Sequence, residues 1–305
     1  MTTAQPATQT RRDLQQHVTN TIIAQLEIGI TPWHQPWHAK PQQRDWHYMP
    51  PGLPRNATSG KTYRGINIVL LWMSAMTNYH QTQDWATFKQ WREKKQMIRK
   101  GEKGSLIVYY DTIEKEVDGE IEKIPFLKSS YVFNRSQLQD FQASPEDKET
   151  RPMTIFDHLQ LVERFIDNTN AVIENKGRKA YYRPSQDKIV LPPVKLFTGT
   201  EICTAAEGYY STALHELTHW TGHEKRLDRR FGKKFGDHNY AVEELVAELG
   251  AAFLCAELEI GLLPKGTHAS YMDNWLTVLR KDKQFIFRAA SQASKAVEYL
   301  HGLQR

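Results

Sequence analysis

Residues 211–226 read STALHELTHWTGHEKR and contain His215-Glu216-Leu217-Thr218-His219, an H-E-x-x-H. On a helix, residues four apart share a face, so both imidazoles can turn towards one metal ion. Glu216, one position past the first histidine, then stands beside that ion, where a carboxylate can take a proton from water. Two protein ligands leave a zinc site incomplete, and a third must come from another element. Gly222 offers a stop for the helix after the second histidine.

The segment Tyr240-Ala-Val-Glu-Glu-Leu-Val-Ala-Glu248, followed by the apolar run 249–254, reads as a core helix carrying Glu243, Glu244 and Glu248. Carboxylates on such a helix are costly to bury unless paired or bound to metal. Glu244 and Glu248 are four apart and share a face. Glu244 is the expected third metal ligand, with Glu248 accepting the N–H of a ligand histidine. Glu243 has Ala247 at the same offset and is the weaker candidate; its bland reading is a solvated side chain. Gly222 also fits H-E-x-x-H-x-x-G-x-x-H, but that longer pattern would end at Lys225, whose ammonium is no ligand. His223 and Tyr240 are cleft candidates for stabilising an oxyanion, and His223 can instead cap the helix C-terminus.

A chain of 305 residues with 40% hydrophobic and 11% aromatic content suits two folded domains. Cys203 and Cys255 are the only cysteines and form no C-x-x-C, which points to a reducing cytoplasm and excludes a thiolate zinc site. The first residues lack an apolar signal region, and no uncharged apolar stretch is long enough for a membrane span. Net charge is +5, yet residues 40–110 hold 12 Lys/Arg against 4 Asp/Glu. A local surplus of that kind favours polyanions.

Six of the eight tryptophans precede residue 92 and interleave with these cations. Cations track phosphates and rings stack on unpaired bases, so the pattern predicts single-stranded DNA binding. Lys61, Tyr63, Arg64, Asn67, Lys100 and Lys103 are the expected contacts, with Trp85 and Trp91 as stacking candidates; Trp72 reads as core. Periodicity predicts helices over 13–29, 68–76 and 84–91, strands over 105–110 and 126–133, and a charged hairpin-like insert at 111–123. A disordered tail (1–10), a DNA-binding domain (11–135), a linker (136–151) and a second domain (152–305) follow. In the second domain, Thr154 caps a helix, 180–191 is a hairpin turning at Pro184–Asp187, the metal helix spans 207–221, the glutamate helix 239–258, and one or two helices close the chain. An edge strand of that hairpin could pair with an extended peptide.

Taken together, Asn56-Ala-Thr-Ser-Gly-Lys-Thr-Tyr-Arg-Gly-Ile-Asn67, the Trp85 and Trp91 segment, Lys100-Gly-Glu-Lys-Gly104, Val132-Phe-Asn134, the extended His215–His223 motif with Arg226-Leu-Asp-Arg229, and Tyr240–Gly250 resemble the ArdC-type antirestriction proteins of conjugative plasmids. The resemblance implies an α+β chain of two domains, an N-terminal module binding single-stranded DNA and a C-terminal zincin-like metallopeptidase. It also implies protection of incoming plasmid DNA from host restriction. The expected cofactor is Zn2+, with Mn2+ or another divalent ion as substitutes. The expected partners are single-stranded DNA and a protein substrate, a host restriction component being one candidate. Two other readings stay open: a DNA-binding protein whose metal is structural or vestigial, and a DNA-activated protease acting on DNA-bound proteins.

Overall fold

Helix α1 (Leu14–Glu27) places Val18, Ile22 and Leu26 at intervals of four, and all three are buried. Asp13 caps it, accepting a hydrogen bond from the Gln16 N–H at 3.1 Å. The computed structural model describes residues 13–34, 52–117, 120–142, 154–200, 203–232, 238–262 and 268–304. The expected tail, Trp37, Trp46, Tyr48 and most of the expected linker lie outside these residues.

The N-terminal domain is built on a sheet ordered β1 (Arg55–Asn56), β2 (Asp84–Ala86), β4 (Glu120–Asn134), β3 (Ser105–Val117). β1 and β2 run parallel; the other neighbours are antiparallel. Helix α2 (Ile66–Thr77) is apolar nearly all round, as a helix enclosed on every side must be. The expected helix over 84–91 divides: residues 84–86 form β2, and only α3 (Phe88–Glu93) is helical. The reason is a capping box, in which Thr87 and Gln90 exchange hydrogen bonds and fix the helix start at residue 88. Ahead of it, Trp85 and Ala86 are fully buried between neighbours. Residues 111–117 and 120–123, expected as a hairpin-like insert, form the far end of the β3–β4 hairpin and continue its ladder. Its register sets Glu114 opposite Lys123 and Lys115 opposite Glu122. Ser136, Gln137 and Leu138, expected in the linker, are buried with this domain.

The C-terminal domain has a second sheet ordered β5 (Val172–Asn175), β7 (Lys188–Leu191), β6 (Tyr181–Arg183), with β5 parallel and β6 antiparallel to β7. Helix α4 (Ile155–Asp167) starts at the Thr154–Asp157 capping box. Helix α5 (Ala205–Trp220) lies on the sheet, and α6 (His238–Glu257) packs between α5 and α8 (Phe285–Gly302). Helix α7 (His268–Lys281) packs on α1.

The two domains share one apolar core rather than meeting across a polar seam. Trp72 of α2 stacks edge-on against Phe253 of α6 at 5.7 Å, and Trp33 does the same with Trp275 of α7 at 5.7 Å. The Gly65 N–H donates to Ser294 on α8 at 2.8 Å. A shared core predicts one cooperative transition in calorimetry, with Trp72→Ala costing about 3–5 kcal/mol and lowering that single transition. Two separate transitions, only one of them moved, would contradict this coupling.

His80 supplies a second test. It is buried edge-on to Trp85, beside the Ser136 hydroxyl at 3.2 Å, and burial pushes its pKa from 6.5 to about 4. Because the folded value is depressed, the stabilising effect of neutral His80 is complete above pH 6.5 and fades as pH falls towards 4. Denaturant titrations between pH 7.5 and 4 are expected to show a shallower loss of stability in His80→Gln than in the parent chain.

Candidate metal centre

Helix α5 begins at Thr204, whose capping box with Glu207 ties the first turn. The other Glu207 oxygen accepts the Gly261 N–H at 2.7 Å, fixing the segment after α6 to the start of α5. One turn apart near its far end, His215 and His219 share a face, with ring centroids 4.9 Å apart and planes at 79°. They look across to α6. There Glu244 sets one oxygen 3.8 Å from His215 Nε2 and the other 3.6 Å from His219 Nε2. Ligand atoms of His215, His219 and Glu244 all lie within 4.8 Å of one another, the one such buried group found among the described residues.

The helices approach closely because Gly250 on α6 has no side chain. A Cβ there would come 2.5 Å from Thr218 Cγ2, and Thr218 is directed inward between the two histidines in sequence. Two further carboxylates then fall in place around the imidazoles. Glu243 Oε1 is 3.0 Å from His219 Nδ1, and Glu248 Oε1 is 3.8 Å from His215 Nδ1. Glu248, expected to accept the N–H of a ligand histidine, lies nearest His215, beyond hydrogen-bond reach at 3.8 Å. The solvated reading of Glu243 is overturned: it is 4% exposed and held by Arg229, which donates from Nε at 2.9 Å and Nη2 at 2.8 Å. This two-pronged pair is what permits a carboxylate at that depth.

The same arginine donates to the Thr218 carbonyl at 2.7 Å and the Thr221 hydroxyl at 2.8 Å, and Arg226 donates to the Trp220 carbonyl at 2.6 Å. Capping of α5 therefore belongs to these two arginines and not to His223, whose Nδ1 accepts the Lys225 N–H at 3.2 Å. Arg226 also lies 3.7 Å over the Trp220 ring and pairs with Asp187 in the β6–β7 turn, fastening the hairpin to α5. β6 is an edge strand beside α5, as the hairpin implied. His223 and Tyr240 are both half-buried, and His223 stands outside the ligand group. His34 was not foreseen: its Nε2 reaches Glu248 Oε2 at 3.4 Å from the other end of the chain. Only its residue type signalled anything, since the contact spans 214 positions.

Electrostatics agree with the geometry. Burial pushes the His219 pKa down, but the Glu243 hydrogen bond and the charges of Glu244, Glu243 and Glu216 outweigh it, leaving it above the ordinary value. Burial likewise raises Glu243, and Arg229 with His219 more than reverse it, so Glu243 stays ionised. An ionised Glu243 accepts from His219 Nδ1–H and leaves Nε2 turned to Glu244. Two imidazoles and a carboxylate, with anionic neighbours behind them, suit a divalent cation by donor type and by charge.

The DNA candidates divide. Lys61, Arg64, Lys100 and Lys103 are exposed, Arg64 within 2.5 Å of Glu298 on α8. Tyr63 is half-buried and accepts from Asn56 at 3.4 Å. Asn67 pins β3, donating to the Val108 carbonyl at 2.7 Å and accepting its N–H at 2.8 Å. Trp85 and Trp91, at 0% and 2% exposure, are core residues with no face for a base, which corrects the stacking expectation. The Trp91 indole N–H is spent on the Phe133 carbonyl at 2.9 Å.

Comparison with known proteins covers both domains. Residues 12–133 match the family model of the N-terminal domain of anti-restriction factor ArdC, and residues 160–292 that of a zincin-like metallopeptidase. The uncharacterized protein y4eC of Sinorhizobium fredii is 33% identical over 97% of this chain and 94% of its own length. A DNA primase TraC of Escherichia coli is 33% identical over 95% of this chain, which spans 27% of that longer protein. The metal-free crystal structure of the antirestriction ArdC protein from plasmid R388 superposes with a TM-score of 0.76 at 37% identity, covering 96% of this chain and 98% of that one. The Mn(II)-bound structure of the same protein gives 0.74 at 36% identity over 96% of this chain and 98% of that one. With both halves matched in order and a solved relative aligned almost end to end, this chain belongs to the ArdC antirestriction family.

Proposed function

We propose that the N-terminal domain binds single-stranded DNA, that the His215–His219–Glu244 centre is a metal-dependent peptidase site, and that together they shield incoming plasmid DNA from host restriction during conjugation. The convergence of those three ligand atoms within 4.8 Å, with Glu216 beside them in sequence, carries the enzymatic part. The local basic surplus and the exposed Lys61, Arg64, Lys100 and Lys103 support the DNA part. The match to the ArdC N-terminal domain and the kinship with a DNA primase support it too. No described helix is long and apolar enough to cross a membrane, in keeping with action on DNA in the cytoplasm.

Zinc fits the donor set, and manganese, found in the solved relative, is the alternative. Once bound, the ion supplies Lewis acidity, acidifying water and polarising a carbonyl. Glu216 takes the proton from the attacking water as the C–O bond forms, and returns it to the amine nitrogen as the C–N bond breaks. Glu243 holds His219 by its Nδ1 side with a hydrogen bond of 3.0 Å, Glu248 lies 3.8 Å from His215 Nδ1, and both Nε2 atoms face Glu244. A structural metal in a DNA-coating protein is a second reading, favoured by burial: His215, Glu216, His219 and Glu244 are 3%, 3%, 7% and 9% exposed.

Glu216→Gln separates the two. It is expected to keep one bound ion by metal analysis while cleavage of unfolded protein substrate falls by about 10²–10⁴-fold. Undiminished cleavage would remove Glu216 from the chemistry, and equal protection of transferred DNA by both forms would favour the structural metal. Chelation is expected to lower the melting temperature of the parent chain, since an ion at 100 times its Kd stabilises by about 2.7 kcal/mol. A His219→Ala chain should not respond to chelator, and a parent chain indifferent to chelator would count against an occupied centre.

A further inference from the structure

Three aromatic rings gather on the N-terminal domain, two on β4 and one at the start of α3. Tyr131 and Phe133 are two apart on β4 and project from the same side. Phe88, the first residue of α3, meets Phe133 edge-on with centroids 6.4 Å apart at 68°. Tyr131 is 59% exposed and Phe88 51%, whereas Phe133 is half-buried against Trp91 and Leu138. Burying a ring of this size stabilises a fold by roughly 1.5–3 kcal/mol, a gain that the two exposed rings flanking Phe133 forgo. Single exposed aromatics are ordinary; a contiguous set is a mark of an interaction site.

The backbone beside the rings is shaped to them. Gly104 has no left-handed conformation to explain it, yet a Cβ there would lie 2.9 Å from Tyr131 Cβ and 3.1 and 3.3 Å from the Phe133 ring. Glycine is needed because the two side chains lean over the chain at that point. Gly104 also ends the basic turn 99–104, so Lys103 is its immediate neighbour and Lys100 lies just before it; both are exposed. At the other end of the strip, Lys89 follows Phe88 directly, its side chain 86% exposed and its Nζ 3.8 Å from Glu93 in a surface pair that solvent screens. Each end of the aromatic strip thus carries an adjoining cation.

We infer that Phe88, Phe133 and Tyr131 are the platform on which successive bases of single-stranded DNA stack, with Lys89, Lys100 and Lys103 tracking its phosphates. This rests on the DNA-binding reading above and names the surface that performs it. Ring faces recognise unpaired bases, because a duplex keeps its own base faces covered. Alternate residues on a strand stand roughly 7 Å apart, so Tyr131 and Phe133 can each hold a separate base. Trp91 and Leu138, buried beneath Phe133, support the middle of the strip.

The test is fluorescence anisotropy of a labelled oligo-dT with the full chain across a range of salt. Tyr131→Ala and Phe88→Ala are each expected to weaken binding roughly 5- to 150-fold while leaving the slope of log affinity against log salt unchanged. Lys100→Gln with Lys103→Gln should reduce that slope by about 1.4. If the parent chain binds and both aromatic variants bind within twofold of it, the platform is wrong and the DNA reading survives. If the parent chain does not bind, the DNA reading fails and the platform with it. Photocrosslinking of the parent chain to an iodouracil oligonucleotide is the check independent of any variant's folding. Crosslinks at Phe88, Phe133 or Tyr131 are expected, and crosslinks confined to other peptides would overturn the assignment.

Discussion

Putting several ionisable groups between two packed helices is the constraint on which this structure depends. Glu243, Glu244 and Glu248 face His215 and His219 across the α5–α6 contact, and each is less than a tenth exposed. An isolated carboxylate at such depth would cost several kcal/mol or give up its charge. Here Glu243 has Arg229 and His219 and Glu248 has His34, while Glu244 faces the two Nε2 atoms, where a bound cation would offset its charge. Much of the surrounding architecture serves that arrangement. Gly250 lets the helices close on one another, and the turn after α5 folds back so that Arg229 can reach Glu243 while capping the helix end.

The N-terminal domain takes part in the same packing. Trp72 against Phe253 joins α2 to α6, the helix that carries the three carboxylates, and Trp33 against Trp275 brings His34 beside Glu248. The centre assigned to peptide chemistry thus shares one apolar core with α1, α2 and Trp85, while the ring strip assigned to DNA rests on a smaller cluster of Ala86, Trp91 and Leu138. Buried packing of this density transmits displacement rather than absorbing it.

Aromatic residues divide sharply by depth in this chain. Trp33, Trp72, Trp85, Trp91 and Trp275 are all essentially buried, while Tyr131 and Phe88 remain in water. Tryptophans in a basic segment suggested base stacking, but large rings are also the most effective filling for a small sheet's core. The N-terminal sheet uses its tryptophans inside, and smaller aromatics on the surface beside the glycine-rich turn. Asn67 shows the same division among polar groups, since its amide is spent on the β3 backbone.

What could be read from the chain alone was whatever local periodicity dictates. Four-residue spacing placed His215 with His219 and Glu244 with Glu248, and the capping residue Thr154 marks a helix start that follows from side-chain chemistry, whereas the metal helix starts at Ala205 behind Thr204, two residues before the expected 207. The tertiary structure alone decided which carboxylate serves which histidine. Glu243 is joined to Arg229 fourteen positions earlier through a turn, and Glu248 to His34 from the far end of the chain. It also decided that Asp84–Ala86 is a strand and that Trp85 and Trp91 are core, because burial depends on which neighbours close over a residue. Periodicity is a property of one segment, whereas pairing and burial belong to several segments meeting, and no single stretch of sequence carries them.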